Sequence, residues 1–377
     1  MKIGIDGNEA NIEFRVGSGV YAFQLLKHLY ELDTWNSYTI YLKDIPVNDM
    51  PPERDKWKYQ VVGPRKLWTQ FGLPFALYSQ GEKLNVFFTP GHYAPRFSPF
   101  PTVISILDLA YLKFEEYFRK EDLAQLKSWT KYSVKKSSRI LAISESTKAD
   151  IVKYYNYDPS RITVTYIGYD TETFKPVKDE RIIGNVLEKY GIARPYILYL
   201  GTLQPRKNLT RLVRSFHMLM EQEKYRELGF KLVIVGKKGW LYHELFDEVK
   251  RLKLENVVIF TGFVPDDDKN AILSGAYVYT LPSLYEGFGI PVLEAMACGT
   301  PVVTSRISSL PEVSGECAIL VDPYSEKSIC GGFKLLINDS ALRDELSAKG
   351  LRWVRYFDWM HTAKATLAVL EEVGGER

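Results

Sequence analysis

Pro282-Ser283-Leu284-Tyr285-Glu286-Gly287-Phe288-Gly289-Ile290-Pro291-Val292-Leu293-Glu294 is the stretch whose reading decides the fold. It places two carboxylates, Glu286 and Glu294, across a glycine-broken loop that runs into a helix. Pro291 suits the first helical position, where a missing N–H costs nothing and the fixed φ is already helical. Gly299-Thr300-Pro301 then ends the helix after about two turns. Gly287 and Gly289 let a ligand approach the backbone N–H groups of Phe288 and its neighbours. The helix start near Ile290 is a ready anion site. The stretch reads as the holder of a phosphorylated, hydroxyl-rich ligand.

Outward from it, short β-branched and aromatic runs alternate with amphipathic stretches along the chain. Strands are predicted at 2–6, 38–42, 59–62, 86–89, 102–106, 139–144 and 162–167, then at 196–200, 231–235, 257–261, 276–281, 301–304 and 317–321. Tyr196-Ile-Leu-Tyr-Leu200 and Leu232-Val-Ile-Val235 are continuous apolar runs, as for parallel strands buried on both faces. Alternation of this kind means doubly wound α/β units. The polar stretch from Phe174 to Glu180 is the best linker. It divides an N-terminal Rossmann-like domain, 1–174, from a second one, 175–356, with a helix over 357–377 returning to complete the first. Ligands of such sheets bind at the carboxyl ends of strands, so two facing domains would share a central cleft.

With 377 residues, 46% hydrophobic and 25% charged, the composition is that of a globular protein of more than one core. The net charge of +3 does not argue for nucleic acid, and the excess lies in the first half, where residues 1–176 carry 23 Lys/Arg against 20 Asp/Glu. Cys298, Cys317 and Cys330 have neither even number nor CxxC spacing and read as reduced core thiols, which points to the cytoplasm. The chain opens directly on a strand pattern, so no signal peptide is expected, and no apolar run is long enough to span a membrane.

Several motifs carry chemistry. Gly201-Thr-Leu-Gln-Pro-Arg206-Lys207-Asn208 lies between a strand and a helix start. Arg206 and Lys207 there suit a diphosphate, as a planar fork beside a point charge. A solvated basic turn is the plainer meaning of a lone Arg-Lys pair, and Glu286 and Glu294 in the same half reverse that preference. Gly17-Ser-Gly19-Val-Tyr21 precedes a helix predicted over 22–32 and could bring N–H groups near a phosphate, although it is not a full dinucleotide fingerprint. Asp266-Asp267-Asp268 could suggest a divalent cation, but acidic residues at a helix start more often cap it and offset its dipole. Of the histidines, His92 in Thr89-Pro-Gly-His-Tyr93 is the one placed to enter a cleft. Lys127, Lys131 and Lys135 form a stripe on a helix over 120–137, either a solvated face or a contact with anionic lipid or a phosphorylated acceptor.

Together these residues resemble the family-4 retaining glycosyltransferases of the GT-B fold, among them bacterial mannosyltransferases. The likeness is strongest in "LYLGTLQPRKNL", "VIFTGFVPDDD", "LPSLYEGFGIPVLEAMACGTPVVTS" and "LPEVSGECAILVDP", and looser in "GSGVYAFQLL", "LDLAYLKF" and "ISESTKADI". The resemblance implies transfer of a hexosyl group from a nucleoside diphosphate sugar to an acceptor hydroxyl, with no resident cofactor and no metal. It implies that Arg206 and Lys207 neutralise the diphosphate and that Glu294 accepts from the ribose hydroxyls. Glu286 would read sugar hydroxyls with the amides of Phe288 and Gly289. Gly19 would give close approach from the opposite domain, Asp108 would face the reaction centre, and the backbone at Gly262–Val264 would contact the base. GDP-mannose is the favoured donor, UDP-sugars the next, and the acceptor is a saccharide or lipid-linked saccharide. Two positions depart from the family: Leu107 stands where a histidine usually precedes the aspartate, and Tyr-Ile-Gly-Tyr-Asp at 166–170 replaces an Asn-Gly-Val-Asp pattern. His92 is a candidate to supply the missing imidazole. The rival readings are a dehydrogenase, which needs a complete glycine fingerprint, a non-catalytic nucleotide-sugar binder, and a nucleotide-sugar hydrolase or epimerase.

Overall fold

The computed structural model describes residues 1–79, 83–239 and 242–375. The chain divides into two compact units, Met1–Gly168 together with Asp358–Arg377, and Tyr169–Phe357. In the first unit the strands are β1 (Lys2–Asp6), β2 (Ser37–Leu42), β3 (Trp57–Val61), β4 (Val86–Thr89), β5 (Thr102–Ile106), β6 (Arg139–Ala142) and β7 (Ile162–Val164). In the second they are β8 (Tyr196–Leu200), β9 (Lys231–Val235), β10 (Val258–Gly262), β11 (Val278–Leu281), β12 (Val302–Ser305) and β13 (Ala318–Val321). Every predicted strand is present, with ends displaced by a few residues.

Both sheets are parallel and share one winding, β3-β2-β1-β4-β5-β6-β7 and β10-β9-β8-β11-β12-β13. The inner strands β4, β5, β8, β11 and β12 are buried along their whole length, which is why their sequences do not alternate. Strand order reverses between β1 and β4 and between β8 and β11. At such a switch point the following loops part in opposite directions and leave a crevice at the carboxyl edge.

Four expectations are corrected. The first long helix runs Ser18–Leu32, not from 22, because Gly17 at φ +51 turns the chain directly into it. Gly19 therefore lies inside the first turn and not ahead of it. The stretch 174–180 is not a free linker: Phe174 is buried, Lys175 N–H donates to Asn270 Oδ1 at 3.2 Å, and Val177 N–H donates to Ser274 Oγ at 3.0 Å, all within the second unit. The chain crosses between units at Gly168–Tyr169 instead. In the helix Asp266–Gly275 the N-cap is Pro265, so the aspartates occupy the first turn without capping it.

The closing helix Trp359–Gly375 packs on Ser18–Leu32 within the first unit. Thr362 Oγ1 donates to Tyr166 O at 2.8 Å, and Asn36 Nδ2 donates to Glu371 Oε1 at 3.0 Å. Where the outgoing and returning segments meet, a Cβ on Gly168 would stand 2.4 Å from the Trp359 nitrogen. Gly168→Ala is expected to destabilise the protein by about 2 kcal/mol or more, read as a lower Tm; an unchanged Tm would mean that this crossing is not tightly packed.

Candidate functional site

The loops leaving β8, β11 and β12 converge at the switch point of the second sheet. Pro205–Lys207 forms one turn of 3-10 helix after β8, and Asn208 at φ +64 redirects the chain into the helix Leu209–Met220. Asn208 Nδ2 donates to Pro282 O at 2.9 Å and to Pro323 O at 2.7 Å, and Leu284 N–H donates to Arg206 O at 2.9 Å. These bonds fix the β8 loop against the β11 loop.

Arg206 and Lys207 both reach Glu286. Arg206 Nη1 lies 3.0 Å from Glu286 Oε2 and also donates to Tyr285 O, while Lys207 Nζ lies 2.6 Å from Oε1. Ser283 Oγ donates to the same Oε1 at 2.6 Å. Glu286 is only 6% exposed. Burial alone would raise its pKa, but Lys207 and then Arg206 overcome that and hold it at about 2. The glycine-flanked loop is thus an ordered, buried element. Glu286 N–H donates to Ser308 Oγ at 3.0 Å, Ser309 Oγ donates to Glu286 O at 2.9 Å and to Phe288 O at 2.7 Å, and Gly287 to Gly289 are buried. Ser283, Ser308 and Ser309 are the residues that sequence reasoning missed. Their one signal is position: all three lie in loops leaving the carboxyl ends of β11 and β12.

Gly289, at φ +110, is the N-cap of the helix Ile290–Ala297, and no side chain caps that helix. Pro291 lies second in it, one place later than predicted. A Cβ on Gly289 would meet Leu310 Cδ2 at 2.7 Å, so both backbone angle and space demand glycine.

Glu294, one turn into the helix, lives in a different field. Burial is the largest influence and raises its pKa, Lys269 pulls it down, Asp266 and Asp170 push it up, and the result is about 7. Among the described residues its carboxylate has no hydrogen-bond partner. Asp266 pairs with Lys269, and Asp268 accepts from Lys189 Nζ and Tyr190 OH, each at 2.7 Å, so these carboxylates are engaged by protein donors. Val264 is fully buried, whereas its neighbour Phe263 is 57% exposed with Lys237 Nζ 4.5 Å from the ring centroid.

In the first unit Gly19, His92 and Asp108 lie at the carboxyl edge of its own sheet. A Cβ on Gly19 would stand 3.1 Å from Glu9 O, which ties this glycine to the turn after β1. Asp108 Oδ1 accepts from Ala110 N–H at 3.0 Å. His92 Nε2 accepts from Leu107 N–H at 3.1 Å, so its ring is held against the main chain at Leu107. Burial lowers the His92 pKa against the pull of Asp108 and Glu9. Its ring is neutral and carries the proton on Nδ1.

Two family models match the chain: Glycosyl transferases group 1 over residues 187–353 and Glycosyltransferase Family 4 over residues 64–173. The O-antigen chain mannosyltransferase B of Escherichia coli is 31% identical over 266 residues, covering 70% of this chain and 68% of that protein. Among solved structures, sucrose-phosphate synthase from Thermosynechococcus elongatus superposes with a TM-score of 0.77 at 19% identity, covering the whole of both chains. Anabaena HepE in complex with UDP-glucose superposes with a TM-score of 0.74 at 17% identity, covering 99% of this chain and 100% of that one. These likenesses show the GT-B fold.

The Glu294 value carries a sign. A carboxyl raised from the ordinary 4.5 to about 7 favours the protonated folded state, by about 3 kcal/mol when fully expressed. That contribution is complete below pH ~4.5 and is lost as pH rises through ~7. Relative to Glu294→Gln, the unliganded protein should therefore lose stability across this window, followed by denaturant midpoints; parallel midpoint curves for the two proteins would exclude the raised value.

Proposed function

The chain belongs to glycosyltransferase family 4, and from that premise we propose that it transfers mannose from GDP-mannose, with UDP-sugars the next candidates, to an acceptor hydroxyl of a glycan or glycolipid with retained anomeric configuration. The observation that carries this reading is the convergence of Arg206, Lys207 and Glu286 beside the uncapped start of the helix Ile290–Ala297. Two cations against one carboxylate leave one positive charge, and the helix start adds partial positive charge. A diphosphate complements that field and gains from it most as it departs with its full negative charge.

The roles divide by local chemistry. Arg206 and Lys207 share their charge between Glu286 and the diphosphate. Glu286, once the diphosphate takes part of that charge, accepts from sugar hydroxyls, with the amides of Phe288 and Gly289 orienting them. Glu294 accepts from the ribose hydroxyls, and the backbone around Val264 meets the base. In the first unit Gly19, Asp108 and the His92 Nδ1–H serve the acceptor and sugar side. The acceptor attacks from the face that the diphosphate leaves, and a diphosphate oxygen takes its proton. Metal is dispensable in this scheme because the positive charge is supplied by side chains, and because Asp266 and Asp268 are engaged by Lys269, Lys189 and Tyr190. The three buried free thiols suit a reducing, cytoplasmic setting.

Arg206→Ala and Lys207→Ala each leave Glu286 with one cation, so both variants should fold. Each is expected to lower kcat/KM by about ten- to a hundred-fold, since one charge-assisted contact is worth about 1.5–3 kcal/mol. The assay is donor turnover with an acceptor in the presence of a chelator. Unchanged turnover in either variant would remove the diphosphate assignment, and strict dependence on a divalent ion would remove the metal-free scheme. Donor consumption without any acceptor requirement would favour a hydrolase.

Calorimetry separates the carboxylates. Glu294→Ala should weaken binding of the free nucleoside diphosphate. Glu286→Gln should strengthen it, by removing a negative charge beside the diphosphate, while lowering sugar transfer. Equal losses of nucleotide affinity in both variants would contradict this division.

A further inference from the structure

Beside His92 the first unit holds two further rings with faces left to solvent. Tyr93 packs edge-on against Trp129 with centroids 5.3 Å apart, and its own centroid lies 6.4 Å from that of His92. Both rings are half-buried. Among the described residues the Trp129 indole N–H has no hydrogen-bond partner, although a buried indole ordinarily finds one. The imidazole is in the same state, because Nε2 accepts from Leu107 N–H and Nδ1–H is left over. Carboxylates beside these donors supply acceptors. Asp108 Oδ1 takes Ala110 N–H at 3.0 Å, and its second oxygen has no partner among the described residues. Glu9 Oε2 takes Ser18 Oγ at 2.8 Å, and the Glu9 side chain lies beside Gly91, whose Cβ would stand 3.9 Å from Glu9 Cγ.

The field here is negative. Asp108 and Glu9 act on His92, Glu9 and Asp122 act on Tyr93, and no cation is among the groups acting on either. The neighbouring cations are engaged elsewhere. Arg96 stacks on Tyr132 with its guanidinium 4.3 Å from the ring centroid, and Lys43 acts on Asp6. Lys127 pairs with Glu115 at 2.6 Å, and with Lys131 and Lys135 it lines a groove on the other side of the helix Lys120–Lys136 from Trp129. A phosphate placed beside His92 would meet carboxylates and no free cation. An ammonium group would leave both ring donors unsatisfied. A sugar hydroxyl both donates and accepts, and the C–H face of a sugar lies flat on an aromatic ring. With Tyr93 between them, His92 and Trp129 address successive units of a chain. On the reading that the protein is a glycosyltransferase, we propose that its acceptor is a neutral oligosaccharide held through at least two sugar units, the terminal one at His92 and Asp108 and the preceding one on Tyr93 and Trp129.

The test is a ligand-detected NMR titration of the full chain with methyl glycosides of mannose, glucose, galactose and N-acetylglucosamine, each as the monosaccharide, the disaccharide and the monosaccharide phosphate. It reads binding and not transfer, so its failure and failure of the transferase reading are distinguishable. At least one disaccharide should bind about tenfold or more tightly than its monosaccharide, and that monosaccharide more tightly than its phosphate. Trp129→Ala should remove the disaccharide advantage while leaving monosaccharide affinity and Tm unchanged. Trp129→Phe, which keeps a ring face and loses the N–H, should restore part of it. Lys131→Ser/Lys135→Ser should leave all the affinities as they are. Tighter binding of the phosphates, equal affinity for one unit and two, absence of binding by every disaccharide, or a disaccharide preference that survives Trp129→Ala overturns the proposal.

Discussion

The candidate site depends on one buried ion cluster, Glu286 held between Arg206 and Lys207. A carboxylate almost wholly removed from water is costly unless its charge is matched and its oxygens are hydrogen-bonded. Here Oε1 receives Lys207 and Ser283, and Oε2 receives Arg206. Because the cations come from the β8 loop and the acid from the β11 loop, the cluster also locks together two loops that the sheet order sends apart. The Ser308 and Ser309 hydroxyls bring in the β12 loop through the main chain of Glu286. Three loops of the second unit are thereby fixed before any ligand arrives, which is the preorganisation that charge stabilisation requires.

The same cluster explains why two glutamates on one short stretch behave oppositely. Glu286 is buried and Glu294 is partly so, but only Glu286 has cations in direct contact, and its pKa falls to about 2. Glu294 has Lys269 at longer range and two aspartates working against it, and rises to about 7. A permanently ionised carboxylate beside two cations suits positioning of a polar ligand without proton exchange. A carboxyl that titrates near neutrality is sensitive to any donor set that arrives.

Much of this was legible in the sequence, for identifiable reasons. Strands such as Tyr196–Leu200 are buried on both faces and so announce themselves as unbroken apolar runs. The glycines and proline between Glu286 and Glu294 mark a loop and a helix start because few other residues take those backbone angles. Pairing was less legible, because it depends on which loops meet. Nothing local says that Arg206 and Lys207 contact Glu286, or that Lys269, Asp266 and Asp170 set the field at Glu294. The aspartates at 266–268 read as caps but lie inside the first turn, because Pro265 takes the N-cap itself.

At Leu107 the main chain, not the side chain, meets an imidazole. The family's imidazole would come from the β5 loop, where this chain has only a backbone N–H. That N–H donates to Nε2 of His92, which arrives from the adjacent β4 loop. Neighbouring parallel strands end at the same edge, so a side chain from either can serve the same space. The bond has a consequence: with Nε2 occupied as acceptor, the neutral ring can offer only Nδ1–H as a donor. Burial keeps the ring neutral, so this polarity is set by the protein itself. An imidazole held in one tautomer by a main-chain bond is oriented as firmly as the two strands that carry it.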